Sequence, residues 1–265
     1  MKILLATPAY GAHVTTAYCE SVLGMRSHFR KVHPHVRFEH KLLSLSLLPF
    51  MRNLFANIVM QDESFTHLLF VDADMGFAPS LIEQMIAADK PVVGAMSPAR
   101  KLEIDKLYAL RHEIADPAIA RLVAIEYVNR GGVAFVDGKT PEGETRSLSN
   151  LVVDGPCIRV TDIGTGILLI RRDVFDRLKE QYPDLWCEAI EGSYGRFGLT
   201  GGVLQCFQPM QDENGVYDGE DTAFCRRWVH GCGGEIWAVV TETITHVGQE
   251  KFVGNFLTKL QYGRL

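Results

Sequence analysis

HLLFVDADMGFAP, residues 67–79, is the stretch from which the rest of the chain can be read. The apolar run Leu68–Val71 has the length and continuity of a parallel strand buried on both faces. It stops at two carboxylates one residue apart, Asp72 and Asp74 with Ala73 between them, and the chain then breaks at Gly76 and turns at Pro79. In an open α/β sheet, ligands bind just beyond the carboxyl ends of the strands. Two hard oxygen donors there suit Mg²⁺ or Mn²⁺, which accept carboxylates and leave positions for substrate phosphates. The same aspartates also serve as caps for a helix beginning near Ser80. Taken alone, the motif leaves both readings open.

Working outward, the flanking sequence alternates strand and helix. Met1–Ala6 reads as a first, central strand stopped by the turn Thr7–Gly11, and a helix follows over about Thr15–Arg30. Val36–Leu48 carries a second strand and an apolar linker, and Phe50–Asp62 a helix leading to the aspartate strand. Ser80–Ala88 is a short helix and Pro91–Met96 another buried strand, so the first hundred residues predict a parallel, doubly wound sheet. Beyond them, Leu107–Arg121 reads as helix, Leu122–Val128 and Val133–Asp137 as strands, and Gly138–Asn150 as a polar loop. Strands at Cys157–Thr161 and Gly166–Arg171 flank Gly164-Thr165-Gly166, and a helix covers Asp173–Gln181. Trp186–Gln211, rich in Gly and aromatics, reads as loops over a pocket, followed by a helix at Glu220–His230 and strands at Ile236–Val240 and Thr243–Gly248. The expectation is one domain sharing one sheet, residues 1–100 forming a nucleotide-binding half and 101–265 an acceptor-binding half.

The 265 residues are 47% hydrophobic and 22% charged, an ordinary globular composition. A net charge of −5 without a basic block argues against sequence-independent nucleic-acid binding as the main task. Six cysteines at 19, 157, 187, 206, 225 and 232 form no CxxC pair and read as free thiols of a reducing compartment. Lys2–Ala6 is too short for a secretory core and is ended by Thr7-Pro8, and no apolar run approaches a membrane span. A cytoplasmic protein without a transmembrane segment is expected.

Three further groups stand at the ends of elements. In the Thr7–Gly11 turn, Tyr10 offers an aromatic face for a base, although without a GxGxxG a dinucleotide fold is disfavoured. Arg52 and Asn53 fall in the first turn of the helix before the aspartate strand, where the guanidinium fork matches phosphate or carboxylate oxygens. Glu220 and Asp221 open a helix after Gly219: acids there satisfy the helix dipole, and a carboxylate so placed also suits a general base. His246, near the end of the last strand, is a packed core residue or a third metal ligand.

Taken together, TPAY (7–10), RN (52–53), LLFVDADM (68–75), GTGILLIRRDVF (164–175), GEDTAFCRRW (219–228) and THVG (245–248) resemble the GT-A class of nucleotide-sugar-dependent glycosyltransferases. The likeness is to a bacterial and phage group related to family 2. The resemblance implies a mixed, mostly parallel central sheet flanked by helices and a Mn²⁺- or Mg²⁺-dependent glycosyltransferase. Such an enzyme moves a sugar from a UDP- or GDP-sugar to an acceptor hydroxyl, with inversion. It further implies that Thr7, Pro8, Ala9 and Tyr10 border the base and that Arg52 and Asn53 lie near base, ribose or diphosphate. Asp72, Ala73 and Asp74 meet the donor, with Asp72, Asp74 and His246 as metal ligands. Gly164, Thr165 and Gly166 allow close approach of sugar or acceptor, and Asp221 is the base with Glu220 beside it. Residues 184–217 match no motif, and Arg100 and Lys101 are suggestive of diphosphate contacts without an anchor. The acceptor stays open among a saccharide, a lipid-linked saccharide, a protein and a modified nucleobase.

Two other readings compete. A phosphoryl- or nucleotidyl-transfer enzyme also uses an aspartate pair; the haloacid-dehalogenase form of it wants Thr or Val where Gly76 stands and a motif near the N-terminus. A non-catalytic nucleotide-sugar binder on the same fold is the other.

Overall fold

The computed structural model describes residues 1–128, 133–134, 151–188, 194–212, 214–248 and 251–262. The expected loop Gly138–Asn150 and most of the expected strand Val133–Asp137 lie outside the described residues. The first half runs β1 (Lys2–Pro8), α1 (Thr16–Val32), β2 (Arg37–Leu43), α2 (Leu48–Gln61) and β3 (His67–Val71). It continues with β4 (Met75–Gly76), α3 (Pro79–Ala87), β5 (Val92–Ala95) and β6 (Pro98–Leu102). After α4 (Ile104–Leu110) and α5 (Pro117–Ala124) come β7 (Ile125–Tyr127), β8 (Val153–Asp154), β9 (Cys157–Val160), β10 (Ile167–Arg171) and α6 (Arg172–Gln181). The last part holds the short strands β11 (Trp186–Cys187), β12 (Val203–Leu204), β13 (Met210–Gln211) and β14 (Tyr217–Asp218), then α7 (Glu220–Arg226). It closes with β15 (Ile236–Val239), β16 (Thr243–Val247), β17 (Lys251–Asn255) and α8 (Phe256–Tyr262).

Eight strands form a mixed, mostly parallel sheet in the order β2-β1-β3-β10-β5-β15-β9-β8. β1 runs parallel to both β2 and β3, and β5 parallel to β15. β10 is wedged antiparallel between β3 and β5, and β9 runs antiparallel to β15 and β8. β1 is second from the edge rather than central, and it continues past Ala6 because β2 pairs with it as far as Pro8.

Both faces of the sheet are covered, which explains the unbroken apolar runs. On β1 and β3, Ile3, Leu5, Leu69 and Val71 pack with Tyr18, Val22, Met25 and Phe29 of α1 and Leu81, Ile82 and Met85 of α3. The alternate residues Leu4, Ala6, Leu68 and Phe70 meet Phe55 and Val59 of α2 and Val174, Phe175 and Leu178 of α6. Fully burying one such side chain contributes about 1.5–3 kcal/mol.

Local chemistry sets the helix ends. Thr15 Oγ1 accepts Tyr18 N at 3.2 Å and starts α1. α3 begins with Pro79 behind Ala78 and has no side-chain cap, so neither Asp72 nor Asp74 is used that way. The single helix expected at Leu107–Arg121 is two helices: Pro117 has no N–H to continue a ladder, and Asp116 Oδ1 caps the second by accepting Ala118 N at 2.8 Å. α5 runs on to Ala124, which shortens the strand expected at Leu122–Val128 to Ile125–Tyr127.

Two devices bring distant sequence to the end of β3. The first is a small sheet, β17-β16-β4, in which Thr245 and His246 oppose Gly76 and Met75. Val247 N donates to Asp74 O at 2.9 Å. A Cβ on Gly76 would stand 3.1 Å from the side chains of both Ala17 and Thr245, so glycine lets α1 and β16 close on β4 without crowding. The second is an amide row on α2 at i, i+4 and i+8. Asn53 Oδ1 accepts Phe207 N (2.8 Å), and Asn57 both donates to Leu204 O (2.9 Å) and accepts Leu204 N (2.8 Å). Gln61 donates to Gly202 O (3.2 Å) and accepts Thr200 N (2.9 Å). Side-chain amides thus stand in for a strand edge, and they hold part of the region expected as loops, which contains β11 paired with β12.

Candidate active site

A cleft of about 570 Å³ opens where β1 and β3 end. Its lining includes Pro8, Tyr10, His13, Thr15, Leu45, Met51, Asp72, Ala73, Asp74 and Arg100. That size is ordinary for a small-molecule site. Tyr10 lies in a single 3₁₀ turn and is 75% exposed, a free aromatic face at the mouth.

Arg52 is 1% exposed and holds two acids from different parts of the chain. Its Nη2 donates to Asp72 Oδ1 (3.1 Å) and Oδ2 (3.2 Å), and its Nε to Glu220 Oε1 (3.4 Å). The guanidinium also lies 5.1 Å from the centroid of the Phe70 ring. Arg52 Nη1 is buried without a partner among the described residues. Burial pushes the Asp72 carboxyl up and the neighbouring Asp74 charge adds to that, while Arg52 opposes them. Because α2 begins at Leu48, two residues earlier than expected, Arg52 sits one turn deeper than the helix start and points into the protein.

Asp74 has the opposite setting. Its Oδ2 meets Arg100 Nη1 at 3.2 Å and His246 Nε2 at 3.4 Å. His246 Nδ1 is fixed on Pro98 O at 2.8 Å, which aims Nε2 at the carboxylate. Burial alone would raise Asp74, but the hydrogen bond and charge of His246, backed by Arg100, hold it below the usual carboxylate range. Burial alone would lower His246, and Asp74 with the Pro98 carbonyl carries it above the ordinary imidazole value. Ligands bound at right angles to a cation at about 2.1 Å stand roughly 3 Å apart. An oxygen and an oriented nitrogen 3.4 Å apart fit two positions of such an ion, with phosphate oxygens and water for the rest. Asp72, Asp74 and His246 do not converge as a three-atom set among the described residues, since Asp72 is drawn to Arg52.

Asp221 lies on the other side of the Gly164–Gly166 bridge. Asp72 N donates to Gly166 O at 2.8 Å, and a Cβ on Gly164 would come within 3.8 Å of Asp221 Oδ2. Asp221 follows Glu220, which Arg52 ties to Asp72, so α7 opens beside the aspartate turn. Asp221 Oδ1 accepts Thr222 N at 2.8 Å, and Oδ2 makes no hydrogen bond among the described residues.

The cleft brings together Pro8, Tyr10, Asp72, Ala73 and Asp74, with His246 behind Asp74. Thr7, Ala9, Asn53 and Thr165 are buried outside its lining. Thr7 Oγ1 bonds Tyr18 Oη at 2.5 Å, and Asn53 also donates to Gln205 Oε1 at 3.0 Å. Arg100 gains its anchor in Asp74, whereas Lys101 pairs with Glu126 at 3.0 Å. His13, Thr15, Leu45 and Met51 also line the cleft and were not singled out in the sequence. Their signal was available, since each flanks the TPAY turn or the start of α2.

No family model matches the sequence, and no curated protein does. Among solved structures the chain is similar to A197 from STIV, at 12% identity over 96% of this chain and 95% of that one, with a TM-score of 0.46. It is similar to GalNAc-T7, crystallised with UDP, GalNAc and Mn²⁺, at 12% identity over 93% of this chain and 44% of that one, with a TM-score of 0.44. Mouse xyloside xylosyltransferase 1 is similar at 9% identity over 87% and 82% of the two chains, with a TM-score of 0.37. All three scores lie under 0.5. The sheet is mixed and mostly parallel between helices, with an aspartate turn closing β3, as the resemblance read from the sequence implied.

Proposed function

We propose that the chain is a metal-dependent glycosyltransferase that moves a sugar from a UDP- or GDP-sugar to an acceptor hydroxyl with inversion, acting in the cytoplasm. The observation that carries the reading is the Asp74–His246 pair, brought to 3.4 Å across 172 residues of sequence beside a cleft with an open aromatic at its mouth. No described helix is long and apolar enough to cross a membrane. Residues 1–100 supply the nucleotide half and 101–265 the acceptor half.

In this reading Tyr10 stacks on the base and Pro8 borders it, while Asp74 and His246 hold Mn²⁺ or Mg²⁺ with Arg100 facing the diphosphate. The ion would supply charge stabilisation for the departing diphosphate. Arg52 holds Asp72 in place beside the donor, and its pull on Glu220 leaves Asp221 as the acid open to the acceptor. Asp221 takes the proton of the attacking hydroxyl.

Calorimetric titration of the full chain with UDP and GDP, with and without Mn²⁺, tests this. One nucleotide is expected to bind in a Mn²⁺-dependent way, and Asp74→Ala to abolish that dependence while thermal unfolding is retained. Mn²⁺-dependent affinity that survives Asp74→Ala overturns the reading.

A further inference from the structure

A second group of ligating side chains lies on the opposite end of α1 from the cleft. His28 Nε2 and His33 Nε2 each stand 2.7 Å from the same oxygen, Glu83 Oε1. Their three ligating atoms lie within 4.8 Å of one another, and this is the one such trio among the described residues. His28 is on the last turns of α1, His33 is its C-cap and Glu83 projects from α3. Thirteen residues of helix separate His28 from Thr15 at the cleft, about 20 Å at 1.5 Å per residue.

The rings are positioned rather than loose. His33 N closes the helix on Phe29 O at 2.9 Å, and its ring lies 5.3 Å from that of Phe29, which is 2% exposed. His28 crosses the same Phe29 ring edge-on at 5.8 Å. Each imidazole therefore turns its Nε2 edge to Glu83. All three side chains are about one-third exposed, so an ion and its water have access from solvent.

We propose that His28, His33 and Glu83 form a site for an imidazole-preferring divalent ion, Zn²⁺ or a neighbour in the first transition row, distinct from the Asp74–His246 pair. Two imidazoles and one carboxylate are a recognised tetrahedral donor set with the fourth position left to water. Carboxylate-preferring Mg²⁺ and Mn²⁺ gain little from it. Metal–ligand distances near 2.1 Å require Glu83 to withdraw by only some tenths of an ångström as the ion replaces the ring protons. The ion would staple the end of α1 to α3. The entry to α1 and the aspartate turn before α3 are already joined by Thr15 N donating to Ala73 O at 2.9 Å, so the staple braces the cleft floor from behind.

The test uses Zn²⁺ alone on the demetallated full chain, in an Asp74→Ala background that silences the cleft pair. One Zn²⁺ per chain and a raised unfolding temperature are expected. Adding His33→Ala should weaken that binding at least about a hundredfold, beyond the cost of losing an outer partner. In the otherwise natural chain, His33→Ala should leave Mn²⁺-dependent nucleotide binding unchanged, so this proposal and the functional one fail separately. Co²⁺ in place of Zn²⁺ should give d–d bands without thiolate charge transfer, which separates this trio from the exposed Cys19 and Cys187. Anomalous scattering at the zinc edge should put the ion between the three side chains. Zn²⁺ affinity that His33→Ala does not change, or an anomalous peak elsewhere, overturns the site.

Discussion

Asp72/Asp74 at the end of β3 and Glu220/Asp221 at the start of α7 are two acid pairs that look interchangeable in sequence. The fold divides each pair in the same way. Asp72 and Glu220 are both tied to the buried Arg52, while Asp74, beside Asp72 in the cleft lining, pairs with Arg100 and His246, and Asp221 turns Oδ2 toward the Gly164 bridge. One cation thus ties down one acid of each pair and leaves the other to different partners. The difference within a pair is set by burial and by who supplies the counter-charge. Asp72 answers to an arginine that is 1% exposed, Asp74 to one whose side chain is 53% exposed.

Removing the shared cation is the largest way to break this arrangement. Arg52→Met keeps the length of the side chain and leaves Asp72 and Glu220 without counter-charge. Breaking a buried ion network from one side costs about 3–5 kcal/mol. Asp72 and Glu220 keep 29% and 19% of their side-chain surface, so the lower end of that range is expected. For a chain of this size that lowers the unfolding temperature by roughly 5 °C. A loss below about 1 kcal/mol in urea unfolding would mean that Arg52 is no clamp, and the division of the acids would have another origin.

Within the α7 pair the comparison becomes kinetic. Asp221→Asn should bind donor and Mn²⁺ almost normally and transfer sugar at least about a hundredfold more slowly, because proton acceptance matters only in the transition state. Glu220→Gln, which keeps a neutral acceptor for Arg52 Nε, should lose less than about tenfold. Equal losses in the two variants, or a product that retains the anomeric configuration, would undo the assignment of roles.

Much of this was legible because burial leaves a pattern. A strand covered on both faces must be apolar throughout, so Leu68–Val71 and the aspartates closing it announce the sheet and the end at which the cleft opens. The direction of β10 was not legible: an apolar run ending in Arg171 reads the same whether it lies parallel or wedged antiparallel between β3 and β5. Nor was the setting of Arg52, whose partners come from 20 and 168 residues away and whose orientation follows from a helix that starts at Leu48. Asn53, Asn57 and Gln61 did carry a signal, amides at four-residue spacing on an apolar helix. That is the spacing of one helix face. Read as a row, it points to a polar edge docked on α2, here 200–207.

The smallest effect is expected at Arg100, and it separates the two arginines most sharply. Arg100 is more than half exposed, and such pairs contribute about 0–1 kcal/mol. Arg100→Ala should therefore leave unfolding within about 1 kcal/mol of the natural chain, in contrast to Arg52→Met. Binding should split. Arg100 Nη1 stands 3.2 Å from Asp74 Oδ2, on the oxygen that also faces His246, so it opposes a cation there and favours an anion. Its removal should leave affinity for Mn²⁺ alone unchanged or slightly raised, while Mn²⁺-dependent affinity for nucleoside diphosphate falls about tenfold, the 1.4 kcal/mol of one lost phosphate contact. The two titrations share one protein sample, and only their ratio matters. If Mn²⁺ alone binds as much more weakly as the diphosphate does, Arg100 is holding Asp74 in position, and the exposed arginine is then a clamp of the same kind as the buried one.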